Sequence, residues 1–383
     1  TIAGKNWCRI MKDSSQKIVL ISNSFGSLYN FRFELICVLL KEYQVTLFTP
    51  MEEADYKKYD ELKGMGCQLI ETPFQRRGKN PLSEIALYRR YLRLLKEADP
   101  ALVLTYTIKP NVYAGMACQK LKIPYMCNVT GLGTAFQKNG PLQWMAIWLY
   151  RKGLKKAVRV FLQNRSSLDV LAEKKVLRGN EVLMAGSGIN LEKFVCLPYE
   201  KQYAKSFYYI ARIMREKGAE EFLEVVMRMK KKYPDAQFHV IGFCEDAYEE
   251  RIRRMEADGL LTYHGWQDYM QPFFQKAGCV IQPSHHEGMS NVCLEAAASG
   301  RPLIVSDIPG CREAVEDGKN GYLFPVTDAE VLYQKVEQFY LLPVEEKEAM
   351  GKYGREKMCK EFDRKIVVER YLTEIVDALN RYF

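Results

Sequence analysis

The sequence predicts an α/β protein of two doubly wound domains, each a parallel sheet with helices on both faces. Apolar runs of strand length alternate with amphipathic runs of helix length from Lys17 to Val129, the order that builds a covered parallel sheet. The alternation pauses at Leu197–Lys205, a stretch rich in Pro, Tyr and Lys that reads as a linker, and starts again at Phe207. At 383 residues the chain is long enough to bury two cores.

Residues 1–16 precede the first readable element, and Thr1–Ile10 match none, so this stretch is expected to be a poorly structured extension. Lys17–Ser22 is a continuous apolar run, as a strand buried on both faces requires. A loop holding Gly26 follows, and then Phe31, Leu35, Val38 and Leu39 fall at helical spacing. Val45–Phe48, Cys67–Ile70, Ala101–Thr105 and Tyr125–Val129 continue as strands, with helices expected near 52–63, 82–97 and 111–121. These elements place a first domain at 17–196. The second set opens with Phe207–Ala211 and includes Gln237–Ile241, Leu260–His264, Cys279–Ile281, Leu303–Ser306 and Gly321–Phe324, giving a second domain at 197–364. Val368, Leu372, Ile375, Val376 and Leu379 share one face of a final helix, 365–383, which must dock and is expected to fold back on the first domain. Open parallel sheets bind ligands beyond their strands' carboxyl ends, so two of them are expected to face those edges across a cleft.

Composition narrows the function classes. A hydrophobic fraction of 48% and a charged fraction of 27% exclude a disordered or fibrous chain. No apolar run approaches the ~20 residues of a membrane span and no signal-peptide pattern opens the chain, so a cytoplasmic location is expected. The eleven cysteines form no C-x-x-C, and Cys37, Cys279 and Cys293 lie inside apolar runs, the pattern of reduced core thiols. The net charge of +9 is concentrated. Between Asp99 and Asp169 no acid occurs, while Lys109, Lys120, Lys122, Lys138, Arg151, Lys152, Lys155, Lys156, Arg159 and Arg165 all do. Such a patch suits an anionic membrane surface or nucleic acid, and the absence of a base-reading motif weighs against nucleic acid.

Pro283–Gly300 carries the densest chemistry. The strand Cys279–Ile281 leads through Gly288 into an Ala-rich helix capped by Ser290 or Asn291, which puts the positive end of a helix dipole at a strand's carboxyl edge. Glu287 and Glu295 flank that turn with seven residues between them. Carboxylates repel a phosphate, so they suit hydroxyls on either side of one; a molecule with a sugar at each end of a diphosphate fits. The plainer account makes one a helix-end charge and the other solvated, against which Glu295 sits among Leu294, Ala296, Ala297 and Ala298. A second group, Arg212-Ile-Met-Arg-Glu-Lys217-Gly218, follows a strand and opens a helix. A lysine there opposes the dipole unless an anion lies between, although Lys217 as a surface residue stays open. His285 and His286 are adjacent on an extended segment and point to opposite faces, so with Glu287 they make a poor metal site, and no Asp-x-Asp is present. The pairs Gly131-x-Gly133 and Gly186-x-Gly188 are incomplete as dinucleotide fingerprints and read as turns.

The order Arg212-x4-Lys217-Gly218, Gly242, Gly265-Trp266, Pro283-Ser-x-x-Glu287-Gly288-x6-Glu295-Ala-x-Ala-x-Gly300, Pro302, Asp307, Gly310 and Gly318-x-x-Gly321 resembles glycosyltransferase family 4. Asn30-Phe31-Arg32, Tyr106-Thr-Ile-Lys-Pro110 and Val129-Thr-Gly-Leu-Gly133 are similar to its branch that builds bacterial capsule, exopolysaccharide and lipid-linked oligosaccharide. The resemblance implies a retaining, metal-independent enzyme of the GT-B fold, two Rossmann-like domains, with no cofactor because the nucleotide sugar is a substrate. It implies that Arg212 and Lys217 hold the donor diphosphate, Glu295 the ribose hydroxyls and Glu287 hydroxyls of the donor sugar. The amides around Gly288, Met289, Ser290 and Asn291 would line the sugar-phosphate site, with Gly242 and Trp266 near the base; Gly26 is counted with the donor side as well. Where many members carry a histidine after the fifth strand of the first domain, this chain has Thr130, a candidate on the acceptor side that offers only a hydroxyl. The leaving phosphate oxygen can itself take the acceptor's proton. Lys109 is a candidate for an acceptor phosphate, with a solvated lysine as the plainer account.

Over 142–156, Leu142, Met145, Ala146 and Leu149 form one stripe expected to pack in the core, and Trp144, Trp148, Arg151 and Lys155 form another. Trp with Arg and Lys on one face is what a helix lying in a membrane interface shows; a basic solvated face is the alternative. The expected function is transfer of a hexosyl or N-acetylhexosaminyl group, with retention, from a UDP-sugar to a lipid-linked saccharide at the inner face of the membrane. Its rivals are a nucleotide-sugar epimerase and a non-catalytic sugar-nucleotide sensor or scaffold.

Overall fold

The computed structural model describes residues 16–73, 81–132 and 140–382. Thr1–Ile10, Gly133 and Lys138 lie outside them. The chain divides into two compact units, the first ending at Met184 and completed by Val368–Phe383, the second running from Ala185 to Val367.

The first unit holds seven parallel strands: β1 (Lys17–Ile21), β2 (Gln44–Thr49), β3 (Gln68–Glu71), β4 (Leu102–Tyr106), β5 (Tyr125–Val129), β6 (Arg159–Leu162) and β7 (Glu181–Leu183). Their order is β3-β2-β1-β4-β5-β6-β7. Helices α1 (Phe25–Leu39), α2 (Asp55–Gly64), α3 (Pro81–Ala98), α4 (Gly115–Leu121), α5 (Pro141–Gly153) and α6 (Arg165–Glu173) connect them. Ile18–Ile21 and Leu102–Leu104 are wholly buried, the reason these runs show no polar alternation. The helix expected at 111–121 starts instead as a wide turn, Pro110–Ala114, that passes into α4. Backbones are close there: a Cβ on Gly115 would meet the Gly153 carbonyl, and one on Gly153 would meet Val112.

The second unit holds β8 (Ser206–Ile210), β9 (Gln237–Ile241), β10 (Thr262–Tyr263), β11 (Cys279–Gln282), β12 (Leu303–Ser306) and β13 (Gly321–Phe324), all parallel in the order β10-β9-β8-β11-β12-β13. Its helices are α7 (Ala219–Lys232), α8 (Asp246–Ala257), α9 (Gln271–Gln275), α10 (Asn291–Ala298), α11 (Ala329–Leu341) and α12 (Val344–Glu361). The unit begins before the expected boundary at 196/197. Ile189 and Phe194 belong to its core, the Ile189 amide donates to Phe362 O at 2.7 Å, and the Leu197 amide donates to Ser299 O at 3.2 Å. The expected linker is anchored too, because buried Arg301 donates to the carbonyls of Leu197 and Pro198, both at 2.7 Å. A basic residue far along the chain therefore holds a segment whose composition reads as loose.

The last helix, α13 (Arg364–Tyr382), starts in the second unit, where the Arg364 amide donates to Ile189 O. From Val368 it belongs to the first, with Val368, Tyr371, Ile375, Ala378 and Leu379 buried. Tyr371 packs on Phe161 at 4.5 Å between ring centroids, and Glu374 pairs with Arg159 at 2.5 Å.

Candidate functional site

In the second unit β8 lies between β9 and β11, so successive strands are added first on one side of β8 and then on the other. The chain leaving β8 and the chain leaving β11 therefore border the crevice at the switch point, the place where an open parallel sheet binds ligands. The first of these segments carries Arg212 and Lys217, and the second carries Glu287 to Asn291. Two groups about seventy residues apart in sequence thus become neighbours.

They touch directly. Lys217 Nζ lies 2.6 Å from Glu287 Oε1, and both side chains are largely buried. Ser284 Oγ donates to the same Glu287 oxygen at 2.9 Å and accepts from Gln282 Nε2 at 2.8 Å. The Lys217 backbone is fixed from below, where the Tyr209 hydroxyl donates to Lys217 O at 3.0 Å. Gly218 turns the chain into α7 with φ +73, and a Cβ there would fall on the Pro283 carbonyl. Only glycine lets the two segments close up in this way. Arg212 is exposed at the end of β8.

Ser290 is the N-cap of α10, its hydroxyl accepting from the Cys293 amide at 3.4 Å. Its own amide donates to Gly310 O at 2.7 Å, so of the backbone groups expected to line a phosphate this one is already engaged. Helix geometry leaves the first-turn amides of Asn291 and Val292 without intrahelical acceptors. Met289 is buried over Gly186, where a Cβ would collide with its side chain. It supports the turn from beneath.

Glu295, one turn into α10, is half-buried. Burial pushes its carboxyl up to about 7, against the pull of Lys193 and Arg364. Gly242 has φ +139, and a Cβ there would strike the Ala211 carbonyl, so its immediate role is to let the ends of β8 and β9 approach. Beside it Phe243 and Trp266 stack at 4.7 Å with both rings exposed, a flat apolar face at the carboxyl edge. The two histidines diverge as expected: His285 Nε2 meets Glu221 Oε1 at 2.9 Å, and His286 is exposed. Among the described residues no three His, Cys, Asp or Glu side chains are grouped as a metal ion would need. Sequence reading missed Gln282, Tyr209, Glu221 and Phe243, and quoted Ser284 in the motif without a role. Phe243 stood beside a motif residue and could have been found from that position alone.

In the first unit β1 lies between β2 and β4, which makes the chain after β1 and the chain after β4 the corresponding pair. Gly26 is not in a loop: α1 starts at Phe25, capped by Ser24 Oγ accepting from the Ser27 amide, and Gly26 is in its first turn with ordinary room for a Cβ. Lys109 pairs with Glu84 at 2.7 Å and lines a cavity of about 210 Å³ with Pro73, Ser83 and Arg90. Thr130 follows β5 and is half-buried.

Helix α5 corrects one expectation. Leu142 and Met145, expected in the core, are 44% and 53% exposed, because the buried side of α5 is Gln143, Tyr150 and Gly153. Tyr150 fills the packed side and Gly153 lets α5 close on the Pro110–Ala114 turn, which leaves Leu142 and Met145 outward. Trp144 and Trp148 are exposed with them, and Lys152 Nζ lies 5.7 Å from the Trp148 ring centroid. Arg151 donates through Nε and Nη2 to Lys174 O, and Lys155 is exposed. Among the described residues no helix is long and apolar enough to cross a membrane.

Two family models match the chain, one described as glycosyl transferase 4-like over residues 17–164 and one as glycosyl transferases group 1 over 199–357. The chain is 25% identical over 375 residues to the N,N'-diacetylbacillosaminyl-diphospho-undecaprenol alpha-1,3-N-acetylgalactosaminyltransferase of Campylobacter jejuni, covering 93% of this chain and 97% of that protein. It is 25% identical over 199 residues to the capsular polysaccharide biosynthesis glycosyltransferase CapM of Staphylococcus aureus, covering 48% of this chain and 51% of that protein. Among solved structures it resembles Anabaena Alr3699/HepE in complex with UDP-glucose, with a TM-score of 0.76 at 14% identity over 94% of this chain and 99% of that one.

Proposed function

Because the chain belongs to glycosyltransferase family 4 and has the GT-B fold, we propose that it transfers a hexosyl or N-acetylhexosaminyl group, with retention, from a UDP-sugar to a lipid-linked saccharide. The observation that carries the donor half is the Lys217–Glu287 pair at the switch point of the second sheet, beside the first turn of α10. A diphosphate placed there meets one ammonium, the Asn291 and Val292 amides and, from the end of β8, the Arg212 guanidinium. These groups would stabilise the charge that grows on the leaving diphosphate. Glu287 then faces the transferred sugar, Glu295 the ribose and the Phe243–Trp266 face the base. The reading assigns no metal or cofactor, because Arg212 and Lys217 supply the positive charge.

The acceptor half rests on the first unit. Lys109 and Arg90 on the rim of a cavity suit an acceptor phosphate, and the undecaprenol-linked substrate named for the Campylobacter relative supports a lipid carrier. The Leu142, Trp144, Met145 and Trp148 side chains, with Lys152 and Lys155 beside them, suit peripheral attachment to an anionic membrane at its cytoplasmic face.

Replacing Lys217 with alanine tests the donor assignment. Loss of a charge-assisted bond made chiefly to the departing diphosphate should lower turnover by more than about tenfold, with circular dichroism unchanged and a lowered thermal midpoint because Glu287 loses its cation. Near-normal turnover of a UDP-sugar by that variant removes Lys217 from the reaction.

A further inference from the structure

Arg32 is only 4% exposed, and its partners are neutral. Nη1 donates to Phe31 O at 2.8 Å, and the guanidinium carbon lies 5.2 Å from the Tyr106 ring centroid and 5.4 Å from that of Tyr371. A buried cation is costly, and an apolar side chain would fill the same volume without that cost. What it does instead is hold Gln163. With its amide turned to satisfy both neighbours, Gln163 presents its oxygen to Arg32 Nη2 at 3.3 Å and its nitrogen to Thr130 O at 3.2 Å.

Two residues back along the same segment, Asn128 is held as tightly. Its side-chain oxygen accepts from the Tyr371 hydroxyl at 2.5 Å, its nitrogen donates to Thr105 O at 3.0 Å, and its carbonyl accepts from Asn111 Nδ2 at 2.8 Å. Asn111 in turn accepts from Thr105 Oγ1 at 2.7 Å. The edge is strained where β4 leaves it: Thr107 has φ +70, a region that β-branched residues rarely occupy, and its hydroxyl is buried without a hydrogen-bond partner. Strain and a dense polar network meet beneath Thr130.

We propose that Arg32, Gln163 and Tyr371 are positioning residues that fix Thr130 and the Gly131 backbone at the place where the acceptor's hydroxyl is presented. This rests on the function proposed above and on Thr130, the acceptor-side candidate of the first unit, lying where the acceptor binds. The C-terminal helix then does more than close the first unit, since Tyr371 sets one side of the acceptor-binding edge. It also gives Arg32, in the Asn30-Phe31-Arg32 motif, a task that its neutral surroundings otherwise leave unexplained. A chain with Thr130 in place of a ring has a short side chain at that point, and a short side chain depends on a rigid backbone to keep its hydroxyl in one position.

The test is Tyr371→Phe, which keeps the ring on Phe161 and removes one hydroxyl. With a panel of UDP-sugars and an undecaprenyl-diphosphate-linked N-acetylhexosamine as acceptor, the variant should lose about threefold to tenfold in kcat/KM for the acceptor, the value of one hydrogen bond. Release of UDP from the donor without acceptor, and the donor KM, should stay as in the wild type. Hydrogen–deuterium exchange of residues 128–132 should quicken while β1 and β4 stay protected. Gln163→Leu should act in the same direction. Unchanged acceptor kinetics overturn the proposal, as does an equal loss in acceptor-free UDP release, which would mark a merely structural role. A wild-type protein that turns over no UDP-sugar would sink the transferase reading itself, and the exchange measurement then decides the positioning role alone.

Discussion

Assigned to the ribose hydroxyls of the proposed donor site, Glu295 would give that site a pH dependence whose direction follows from its surroundings. Burial raises its carboxyl to about 7, above the ordinary value of 4.5. For the fold alone, an acid with a raised value contributes stability that is fully present below its unfolded value and is lost as the pH rises through its folded one. Here that window runs from 4.5 to about 7. Donor binding runs the opposite way. A carboxylate accepts from two ribose hydroxyls, whereas the protonated acid must give up an acceptor, so the ionised form is the binding form. With a value near 7, about one molecule in eleven is ionised at pH 6 and about ten in eleven at pH 8, and affinity for the donor should rise about tenfold between them. The diphosphate of a nucleotide sugar has no group that titrates near neutrality, so the change belongs to the protein. Calorimetry with a UDP-sugar at pH 6, 7 and 8 measures it, with Glu295→Gln as the control, since an amide binds hydroxyls at every pH. A flat wild-type profile, or a slope that survives in the glutamine variant, would refute the assignment of Glu295 to the ribose.

Gly218→Ala should cost more than the ~1 kcal/mol of a strained backbone, because the new Cβ also meets the Pro283 carbonyl; the thermal midpoint should fall and donor affinity with it. An effect on stability with donor affinity untouched would separate this glycine from the site. Paired replacement of Trp144 and Trp148 by alanine, or charge reversal at Arg151 and Lys155, should abolish sedimentation with vesicles containing phosphatidylglycerol while leaving donor turnover in solution unaltered. Retained sedimentation would make the exposed α5 face an ordinary solvated one.

Much of this architecture was legible because parallel sheets buried on both faces leave a strong trace. Tyr125–Val129, Gln237–Ile241, Leu303–Ser306 and Gly321–Phe324 coincide with the runs of apolar residues that predict them. The turns and cap of the proposed donor segments were legible for a different reason: turn glycines and capping hydroxyls must occupy fixed positions relative to a strand end, so their spacing is written along the chain. Partnerships were not. That Lys217 meets Glu287, that Lys109 meets Glu84 and that Tyr371 meets Asn128 depend on strand order, which local sequence does not encode. The α5 error has a related origin. Helical spacing showed an apolar stripe on Leu142 and Met145, but which stripe turns inward is decided by the close approach of Gly153 to Val112 and Asn111. The domain boundary moved because Arg301 and Phe362, remote in sequence, claim residues 189–198 for the second core.

The Lys217–Glu287 pair also suggests how the proposed site handles product. Each charge satisfies the other at 2.6 Å, with Ser284 completing the carboxylate. An arriving diphosphate takes the ammonium, and the lysine exchanges one charge-assisted bond for another at little net cost. Glu287 does not. Half-buried and relieved of its cation, it needs donors, and the hydroxyls of the attached sugar supply them. A UDP-sugar therefore replaces both halves of the pair, whereas UDP replaces one and leaves a carboxylate short of a partner, a difference of ~1–3 kcal/mol. On this reading, breaking the bond between sugar and phosphate removes the group that made the open pair tolerable, and closure of Lys217 back onto Glu287 favours release of the nucleotide. On the proposed function the ion pair is then part of the cycle: it holds Lys217 and Glu287 in place, and competes for Lys217 once the sugar has gone.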